Sequence, residues 1–597
     1  MSEIIVTAKG CTDIARGHRL DQKKRGRPWI MPHREVSKGV RKTSARRKPA
    51  ATSSKQQEQE PPVSTAQAVG HLSLLLLCLA ALGVSSYAFY LYYLMPVLAP
   101  PSQAARYYQD APWMPSGGLV QGARRVCNFS VDMGAPAHIV DERFVSFNLD
   151  AALFRRSWDW LELDLENPRL LALCRSLSPS LLRVGGTTSN LLLFSEKNRT
   201  APDPVRDWQN NVLYPEYKGP LVMHGDDWIR LNTFVKAVGW ELLFTLNGLN
   251  RRSGAWDSSN AVRLLRFSDL LKLKVHWQLG SELEATGLVH ADELARDYGA
   301  LKHLLLFWPA KGNLVGPDIG DTSPDALVFL DSFIEDAYKS IDAVTFHYYH
   351  HRNPAGTLAD ILNGTTLRGL SDSIQQMWSV LKRNGLRKSL WITEAASASG
   401  DGLLAISDTY ASSLVWLDTL GTAARQGVSV VFRQDLVQGN NRLLADDEFR
   451  PLPDYWISLV HKRLVGTRVL QLRTQPRDDA VRLYAHCLRD GAIKGHRGAV
   501  IVFGLNLSNE TAVLTPKDPE LQASHVMAYV VGPDPAGNLV AEDVLLNGRH
   551  LTLSESLRFP DIVPAVLHPR QSMAIGAYSM AFFVFADYKA PACTGTF

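Results

Sequence analysis

Two glutamates in this 597-residue chain lie at the ends of short apolar segments. Glu282 follows the segment 275–280, and Glu394 lies in the segment 389–395. Each segment has the length and composition of a buried strand. Paired carboxylates at strand ends are suited to glycoside hydrolysis, in which a protonated acid donates to the leaving oxygen and an ionised carboxylate attacks the anomeric carbon. A separation of about 5–5.5 Å gives retention of configuration and about 6.5–9.5 Å gives inversion.

The elements that position these glutamates follow a regular pattern. Eight short apolar segments alternate with amphipathic helical segments such as 261–271, 291–306, 325–338 and 370–382, which predicts a closed (β/α)8 barrel over residues 124–465. Glu282 then follows strand four and Glu394 ends strand seven, at the strand ends that carry catalytic groups in such barrels. The eight predicted strands are 144–150, 181–186, 242–248, 275–280, 314–319, 343–349, 389–395 and 428–434.

Beyond residue 465 the pattern changes to short strands with turn-rich spacers, which predicts an antiparallel β-sandwich over 466–597. The predicted fold class is therefore α/β, a TIM barrel followed by a sandwich and preceded by an N-terminal transmembrane helix. The six strands predicted for the sandwich are 469–475, 480–488, 499–508, 525–532, 544–553 and 580–588.

The N-terminal part has a different character. Residues 1–70 hold 15 Lys/Arg and 6 Asp/Glu, lack hydrophobic periodicity and read as a disordered basic tail. Residues 71–98 form an apolar run long enough to span a bilayer, and 99–123 read as a stem. Because the basic residues precede the apolar run, we expect the tail in the cytosol. The charge of the tail is explained by this topology and by lipid contact, and we expect no nucleic-acid partner.

The sequence predicts a type II single-pass membrane protein whose large C-terminal part is lumenal or extracellular, in the secretory pathway, at the cell surface or in the lysosome. Four cysteines follow the apolar run, an even number that fits an oxidising compartment. Cys487 could pair with Cys593, and Cys127 with Cys174. Candidate glycosylation acceptors in Asn-x-Ser/Thr triplets are Asn128, Asn198, Asn363, Asn506 and Asn509.

Motifs with a family resemblance lie in the stretches 177–187, 277–280 with Glu282, 391–394, 407–410, 416–421 and 451–459. They resemble the heparanase family of endo-β-glucuronidases, and the similarity runs from about residue 125 to the C-terminus. The resemblance implies a barrel plus a β-sandwich and retaining chemistry, with Glu282 as acid/base and Glu394 as nucleophile. It also implies a substrate cleft lined by Asp150, Thr187, His347 and Tyr349.

This chain departs from the family pattern at other cleft positions. Ser281 stands where the family usually has an Asn that hydrogen-bonds the sugar 2-hydroxyl. The loop after the nucleophile reads Gly400-Asp401 instead of Gly-Gly, and Asn440 and Arg442 replace Gly and Tyr. After residue 70 the chain holds 49 basic and 53 acidic residues, and Asp321–Asp325 replaces one of the family's basic clusters. This balance weakens the electrostatic case for a highly sulfated polyanion.

Three functions remain open on the sequence alone. The first is a retaining endo-β-glucuronidase that cleaves heparan sulfate or a related glycosaminoglycan. The second is a hyaluronan hydrolase or exo-β-glucuronidase on the same scaffold, and the third is a non-catalytic glycosaminoglycan-binding relative. The expected partner is a glycosaminoglycan or proteoglycan, together with the membrane through residues 71–98. We expect no cofactor and no metal site, and the oligomeric state stays open.

Overall fold

The computed structural model describes residues 124–155, 163–196, 221–308, 311–352, 356–445 and 448–595. The predicted tail, membrane span, stem and the candidate acceptor Asn198 lie outside these residues. Within the described ranges no helix has both the length and the apolar character needed to cross a membrane.

The predicted barrel is confirmed: eight parallel strands form a closed sheet in the order β10-β11-β12-β13-β14-β3-β4-β7. Two strands precede the barrel, β1 (Arg124–Asp132) and β2 (His138–Ile139). Each barrel strand overlaps one of the eight predicted segments. The barrel strands are β3 (Val145–Asp150), β4 (Leu181–Gly185), β7 (Glu241–Leu246), β10 (Val275–Leu279), β11 (Lys311–Ile319), β12 (Ala343–His351), β13 (Ser389–Ala398) and β14 (Val430–Arg433).

Helices cover the outside of the barrel and bury one face against it. The longest is amphipathic and ends in Lys382 and Arg383, where basic side chains favour the helix C-terminus. The helices of the barrel domain are α1 (Pro168–Ser176), α2 (Gly225–Ala237), α3 (Ser259–Leu270), α4 (Leu283–Thr286), α5 (Ala291–Leu305), α6 (Pro324–Ala337), α7 (Leu358–Ile361), α8 (Gly364–Arg383), α9 (Tyr410–Arg425) and α10 (Pro453–Leu464).

Short elements connect these strands and helices. Two 3₁₀ helices span Ala151–Arg155 and Thr187–Leu191. Three two-stranded sheets lie in the loops: β5 (Leu192–Ser195) pairs with β6 (Leu221–His224), β8 (Arg251–Arg252) with β9 (Ala255–Trp256), and β15 (Leu444–Ala445) with β16 (Arg450–Pro451).

The barrel interior changes from apolar to polar along the strands. A buried apolar cluster fills one level, and on four of its strands the inward residue two positions later is polar and buried: Arg183, Thr245, Thr345 and Thr393. Because inward side chains recur at every second residue, each strand contributes to both levels. The polar level therefore lies nearer the C-terminal strand ends and forms a base for the site above it. The apolar level consists of Leu181, Leu243, Val315, Ala343, Trp391, Val430 and Phe432.

The C-terminal strands join one twelve-stranded, mostly antiparallel sheet. The antiparallel order is as expected, whereas the two-layer sandwich stays a prediction. The predicted strand 544–553 is instead a tight hairpin of two short strands. The sheet is built from β1 and β2 together with β17 (Val465–Gln475), β18 (Val481–Leu488), β19 (Val500–Asn506), β20 (Thr511–Pro516), β21 (Val526–Gly532), β22 (Leu545–Leu546), β23 (Arg549–His550), β24 (Ala565–Leu567), β25 (Met573–Ile575) and β26 (Ser579–Phe585).

Two further short helices, α11 (Pro519–Gln522) and α12 (Pro591–Thr594), accompany this sheet. The predicted domain boundaries need one correction, because β1 lies between β17 and β20 of the C-terminal sheet. The segment 124–132 precedes the barrel in sequence but belongs to the second domain. Short strands pair with partners far away in sequence, which a linear pattern does not reveal.

The cysteines and candidate acceptors divide by environment. Cys487 and Cys593 form a disulfide, whereas Cys127 and Cys174 are buried free thiols, so their offered pairing is wrong. Asn506 is buried and its amide donates to three backbone carbonyls, so it is not an accessible glycan acceptor. Asn363 and Asn509 are exposed, and Asn128 is half-buried in β1.

Candidate active site

The two predicted glutamates meet at the C-terminal end of the barrel. Glu282 follows β10 with φ +53° and begins α4, and Glu394 lies inside β13. A carboxylate oxygen of Glu282, one of Glu394 and a ring nitrogen of His347 all lie within 4.8 Å of one another. The structure thus brings together two acids from strands four and seven, together with an imidazole from strand six.

A β-bulge aims Glu394 into the barrel. The register between β12 and β13 shifts between Phe346 and His347, which pairs His347 with Glu394. The register with β14 shifts over the same part of β13. In a regular strand Thr393 and Glu394 would point to opposite faces, but an extra residue re-aims the side chain. Both side chains therefore reach the interior network.

Glu394 is nearly buried, with 7% of its side chain exposed. Its Oε1 accepts a hydrogen bond from Arg183 Nη1 at 2.8 Å, and its Oε2 accepts one from the Tyr349 hydroxyl at 2.5 Å. Burial, and next the charge of Glu394, hold the pKa of Tyr349 well above its ordinary value, so Tyr349 stays a donor. Both oxygens of this carboxylate therefore have a hydrogen-bond donor that fixes their position.

Glu282 is more open, with 27% of its side chain exposed. Its Oε1 lies 2.8 Å from His347 Nδ1. The side chain packs against Gly320, where a Cβ would lie 2.8 Å from Oε1, so only glycine leaves room. Burial would raise the pKa of Glu282, but the hydrogen bond and charge of His347 outweigh it and lower the pKa.

Asp318 lies at the centre of the polar network and was missed by sequence reasoning. It is fully buried at the end of β11 and accepts hydrogen bonds from Arg183, Ser281 and Thr393 at 2.6–2.8 Å. Burial would raise its pKa, but Arg183 and next His347 lower it, so it is ionised. Nothing in the apolar run 314–319 marked this acid as functional, because its partners come from other strands.

Arg183 and His347 are the two cations of this network, and both are fully buried. Burial would lower the pKa of each, but Asp318 and Glu394 hold both pKa values above the ordinary range. His347 Nε2 lies 3.1 Å from Asp318 Oδ2 without the alignment of a hydrogen bond. Two cations therefore face three carboxylates at the mouth of the barrel.

Ser281 is fully buried and turned into the network. Its hydroxyl donates to Asp318 Oδ2 at 2.8 Å and lies 3.2 Å from Arg183 Nη2, which donates to it. Its backbone is fixed by Asn190, whose side chain bonds both the N–H and the carbonyl of Ser281. The hydroxyl of Ser281 thus supports the carboxylates from below.

Asp150 ends β3 and accepts hydrogen bonds from Thr188 and from Ala152 N–H. Its own N–H donates to Asp435 Oδ2 at 3.0 Å. Burial raises the pKa of Asp150 to about 6 and that of Asp435 to about 7. The charge of Glu394 also raises the pKa of Asp150. Asp435 is a supporting acid that the sequence did not single out.

The remaining predicted cleft residues lie at the rim. Thr187 is half-buried at the start of a 3₁₀ helix, and Gly400 is exposed after β13. Asn440 is tied to the same loop, because its N–H donates to Asp401 O at 2.6 Å. Arg442 lies beside Asp408 at 3.4 Å. No contact among the described residues joins these four to the glutamate pair.

Glu284 is a second neighbouring acid. Its Oε1 accepts a hydrogen bond from Gly320 N–H at 2.6 Å, and burial raises its pKa to about 7. Glu284 thus holds the backbone against which Glu282 packs. Its geometry is that of a support for the acid.

The three converging ligand atoms of Glu282, His347 and Glu394 also have the spacing of a metal site. A histidine can bind a metal ion only when its imidazole is neutral. The surrounding carboxylates, Glu394 and Asp318, hold the pKa of His347 well above its ordinary value. These three side chains are therefore better suited to share a proton than to bind a metal ion.

A (β/α)8 barrel that brings two carboxylates from strands four and seven together at its C-terminal end defines the class of barrel glycoside hydrolases. The model "Glycosyl hydrolase family 79, N-terminal domain" matches residues 153–421. Heparanase from Gallus gallus is 33% identical over 511 residues, which cover 79% of this chain and 97% of the relative. The chain belongs to glycosyl hydrolase family 79, the heparanase family, and is a glycoside hydrolase.

Other relatives have different activities in their names. A hyaluronoglucuronidase from Hirudo nipponia is 28% identical and covers 76% of this chain and 96% of the relative. An inactive heparanase-2 from Homo sapiens is 29% identical, and the match covers 77% of this chain and 88% of the relative. In fold, the chain is similar to a GH51 arabinofuranosidase from Xanthomonas axonopodis pv. citri, with a TM-score of 0.56 and 12% identity. The match covers 77% of this chain and 99% of the arabinofuranosidase.

Proposed function

We propose that this chain is a retaining endo-β-glucuronidase that cleaves heparan sulfate or a related glycosaminoglycan. The observation that carries the proposal is the carboxylate spacing. Oxygens of Glu282 and Glu394 lie within 4.8 Å. This fits the separation of about 5–5.5 Å in retaining enzymes and leaves too little room for the water that inverting enzymes place between their acids.

Glu394 acts as the nucleophile. Arg183 and Tyr349 donate hydrogen bonds to its two oxygens and orient the carboxylate that attacks the anomeric carbon. Attack breaks the glycosidic bond and forms a covalent glycosyl-enzyme on Glu394. The buried network below, with Asp318 at its centre, keeps this carboxylate in one orientation.

Glu282 acts as the acid and then as the base. The proton for the leaving oxygen is held by the hydrogen-bonded pair of His347 Nδ1 and Glu282 Oε1, which are 2.8 Å apart. It passes through Glu282 to the leaving group, because Glu282 is the more exposed partner. In the second step Glu282 removes a proton from the water that attacks the glycosyl-enzyme.

The acids around the pair suit an anionic substrate at acidic pH. Burial raises the pKa of Asp150 to about 6, and those of Asp435 and Glu284 to about 7. Near pH 5 these carboxyls are neutral, so the site repels a uronate or sulfate less than at pH 7. The names of the heparanase and hyaluronoglucuronidase relatives support a glycosaminoglycan as the substrate class.

A second candidate is a hyaluronan hydrolase or exo-β-glucuronidase. Two arginines on the loops at the C-terminal end of the barrel already have carboxylate partners: Arg352 lies 3.1 Å from Asp321, and Arg442 lies 3.4 Å from Asp408. Pairing reduces the charge available for sulfate groups, which favours a less charged polymer. The hyaluronoglucuronidase relative fits this alternative.

A third candidate is a non-catalytic glycosaminoglycan-binding protein. Ser281 is fully buried, and its hydroxyl is engaged by Asp318 and Arg183. A hydroxyl engaged in this way is not available to hydrogen-bond the sugar 2-hydroxyl, as the Asn usual in the family would. The inactive heparanase-2 relative fits this reading. Against it stand the complete set of donors around Glu394 and the short carboxylate spacing.

One assay separates the three. Purified full-length protein is incubated at pH 5 with heparan sulfate, hyaluronan and an aryl β-glucuronide, in parallel with Glu394→Gln. Heparan sulfate cleavage that is lost in the variant supports the first candidate. Turnover of only hyaluronan or the aryl glycoside supports the second, and binding without turnover leaves the third.

We also propose a type II topology, with a membrane span at 71–98 and the barrel in the lumen or outside the cell. The Cys487–Cys593 disulfide supports an oxidising compartment. Asn363 and Asn509 are exposed acceptors on the part of the chain that this topology exposes. A glycan lost in Asn509→Gln or Asn363→Gln would support it, and a glycan carried on the tail 1–70 would overturn it.

A further inference from the structure

A cavity lies at the N-terminal end of the barrel, opposite the glutamate pair. It has a volume of about 290 Å³ with its open mouth, and its enclosed part has room for about one water-sized species. The loop before β3, the end of α10, the start of β17 and the end of β18 form its walls. The cavity therefore lies where the barrel meets the C-terminal sheet.

Two buried imidazoles in its wall have a ring nitrogen without a partner. His461 and His486 are 3% and 1% exposed, and Nε2 of each lacks a hydrogen bond among the described residues. His486 Nδ1 lies 2.8 Å from Gly466 O. Because a carbonyl only accepts, Nδ1 carries hydrogen, and Nε2 of the neutral ring is a bare lone pair.

A buried ammonium group lies beside them. Lys462 Nζ donates to the carbonyls of Val145 and Pro179 at 2.9 and 2.6 Å. In the part of the chain that the structure describes, no carboxylate lies within ion-pair distance of Lys462. Buried charges are normally paired with an opposite charge, because desolvation is costly.

The nearby carboxylates are engaged elsewhere. Asp141 is held by Arg143 at 2.8 Å, and Glu142 is 65% exposed and lies 3.5 Å from Arg489. Burial, and next the charge of Arg489, lower the pKa of Lys462 to about 7, while burial lowers that of His486 to about 4. The groups facing the cavity are thus Lys462, Arg489, His461 and His486, against Asp141 and Glu142.

We propose that this cavity binds one halide-sized anion together with a proton. The anion supplies the missing counter-charge for Lys462, and the proton converts His486 Nε2 from a lone pair into an N–H donor. Protonation of Nε2 is required because the neutral ring would face an anion with a lone pair. The bound ion links the barrel base to the C-terminal sheet and stabilises their contact.

Proton coupling gives the site a measurable signature. Below about pH 7, where Lys462 already carries its charge, one proton taken up with each anion makes the apparent anion affinity rise about tenfold for each unit that the pH falls, until His486 is protonated without the anion. A bound water instead donates to the neutral Nε2 and has no such dependence. The pH dependence therefore distinguishes an anion from a water.

The test uses purified full-length protein and sodium bromide, with sodium gluconate at equal ionic strength as the bulky control. We expect bromide to raise the Tm by a few degrees at pH 5 and much less at pH 8. Titration calorimetry in two buffers of different ionisation enthalpy should show uptake of about one proton with each bromide. Equal Tm values in both salts at pH 5, or binding without proton uptake, would overturn the proposal.

Matched variants keep the test independent of folding. His486→Asn retains a donor for Gly466 O but removes Nε2, so the bromide effect should vanish. His350→Gln changes another imidazole with an unpartnered ring nitrogen, half-buried and outside the lining of this cavity, and should leave the bromide effect intact. If His486→Asn unfolds, Arg489→Gln at the mouth should weaken bromide binding several-fold, and unchanged bromide affinity there would contradict the proposal.

Discussion

The two ends of the barrel both hold clusters of charged side chains, but the balance of positive and negative groups differs. At the N-terminal end Glu241, the first residue of β7, accepts hydrogen bonds from Arg143 and Lys274 and lies 2.7 Å from His276 Nε2. The hydrogen bond of His276 is the largest cause that lowers the pKa of Glu241 to about 2. Because Arg143 also pairs with Asp141, two carboxylates there share three basic partners.

At the C-terminal end three carboxylates, Glu282, Asp318 and Glu394, share Arg183 and His347. A cluster in which basic groups match the carboxylates is satisfied and serves the fold. A cluster with spare negative charge stays reactive, because one carboxyl must hold or exchange a proton. The difference suggests that charge imbalance, more than the presence of acids, distinguishes the functional end from the structural end.

The largest expected effect comes from the proton donor. Glu282→Gln should lower kcat/KM on the polymer by about 10²–10⁴-fold, the usual contribution of general acid–base catalysis. An aryl glycoside with an acidic phenol needs little protonation of its leaving group in the first step. The rate of that step, measured from the burst phase, should therefore be nearly unchanged in the variant. An equal loss of the first step on both substrates would contradict the role of Glu282 as acid.

The second effect concerns the shared cation. Arg183→Met leaves Asp318 and Glu394 buried without their main counter-charge, so the free energy of unfolding should fall by about 3–5 kcal/mol. Arg143→Met at the other end is the matched control, because Arg143 and its partners are partly exposed. It should cost about 1 kcal/mol or less in the same urea titration. Equal losses would remove the contrast between the two ends.

Sequence alone predicted the architecture well, for a physical reason. The eight barrel strands are short, apolar and separated by helices, so local patterns place them within a few residues. The same logic placed Glu282 and Glu394 at strand ends. The C-terminal sheet was predicted less well because β1 joins it from the far side of the barrel sequence.

The site's supporting residues could not be predicted in the same way. Asp318 and Arg183 belong to apolar-looking strands, and only closure of the barrel brings them together. The inward orientation of Glu394 depends on a bulge that no local pattern marks. The role of Ser281 is set by contacts with Asn190 and Asp318, which are distant in sequence.

The third effect tests the raised pKa of Asp435 at the functional end. A carboxyl whose folded pKa is near 7 keeps its proton in the fold while the unfolded chain loses it above about pH 4. Stability therefore falls as pH rises from 5 to 7, by about 2–3 kcal/mol for this group. Asp435→Asn should flatten that part of the curve in urea titrations. An unchanged slope would show that Asp435 is already ionised at pH 5.

The smallest effect lies at the N-terminal end and has the opposite sign. The pKa of Glu241 is lowered, so its stabilising contribution is present above its unfolded value near 4.5 and is lost as pH falls towards 2. Because Glu241 is 36% exposed, Glu241→Gln should cost only about 1 kcal/mol at pH 7. Turnover should stay within about twofold, since the residue lies at the end of the barrel remote from Glu394. A large loss of turnover would mean that the two ends are coupled through the polar level between them, and charge balance at one end could then not be read independently of the other.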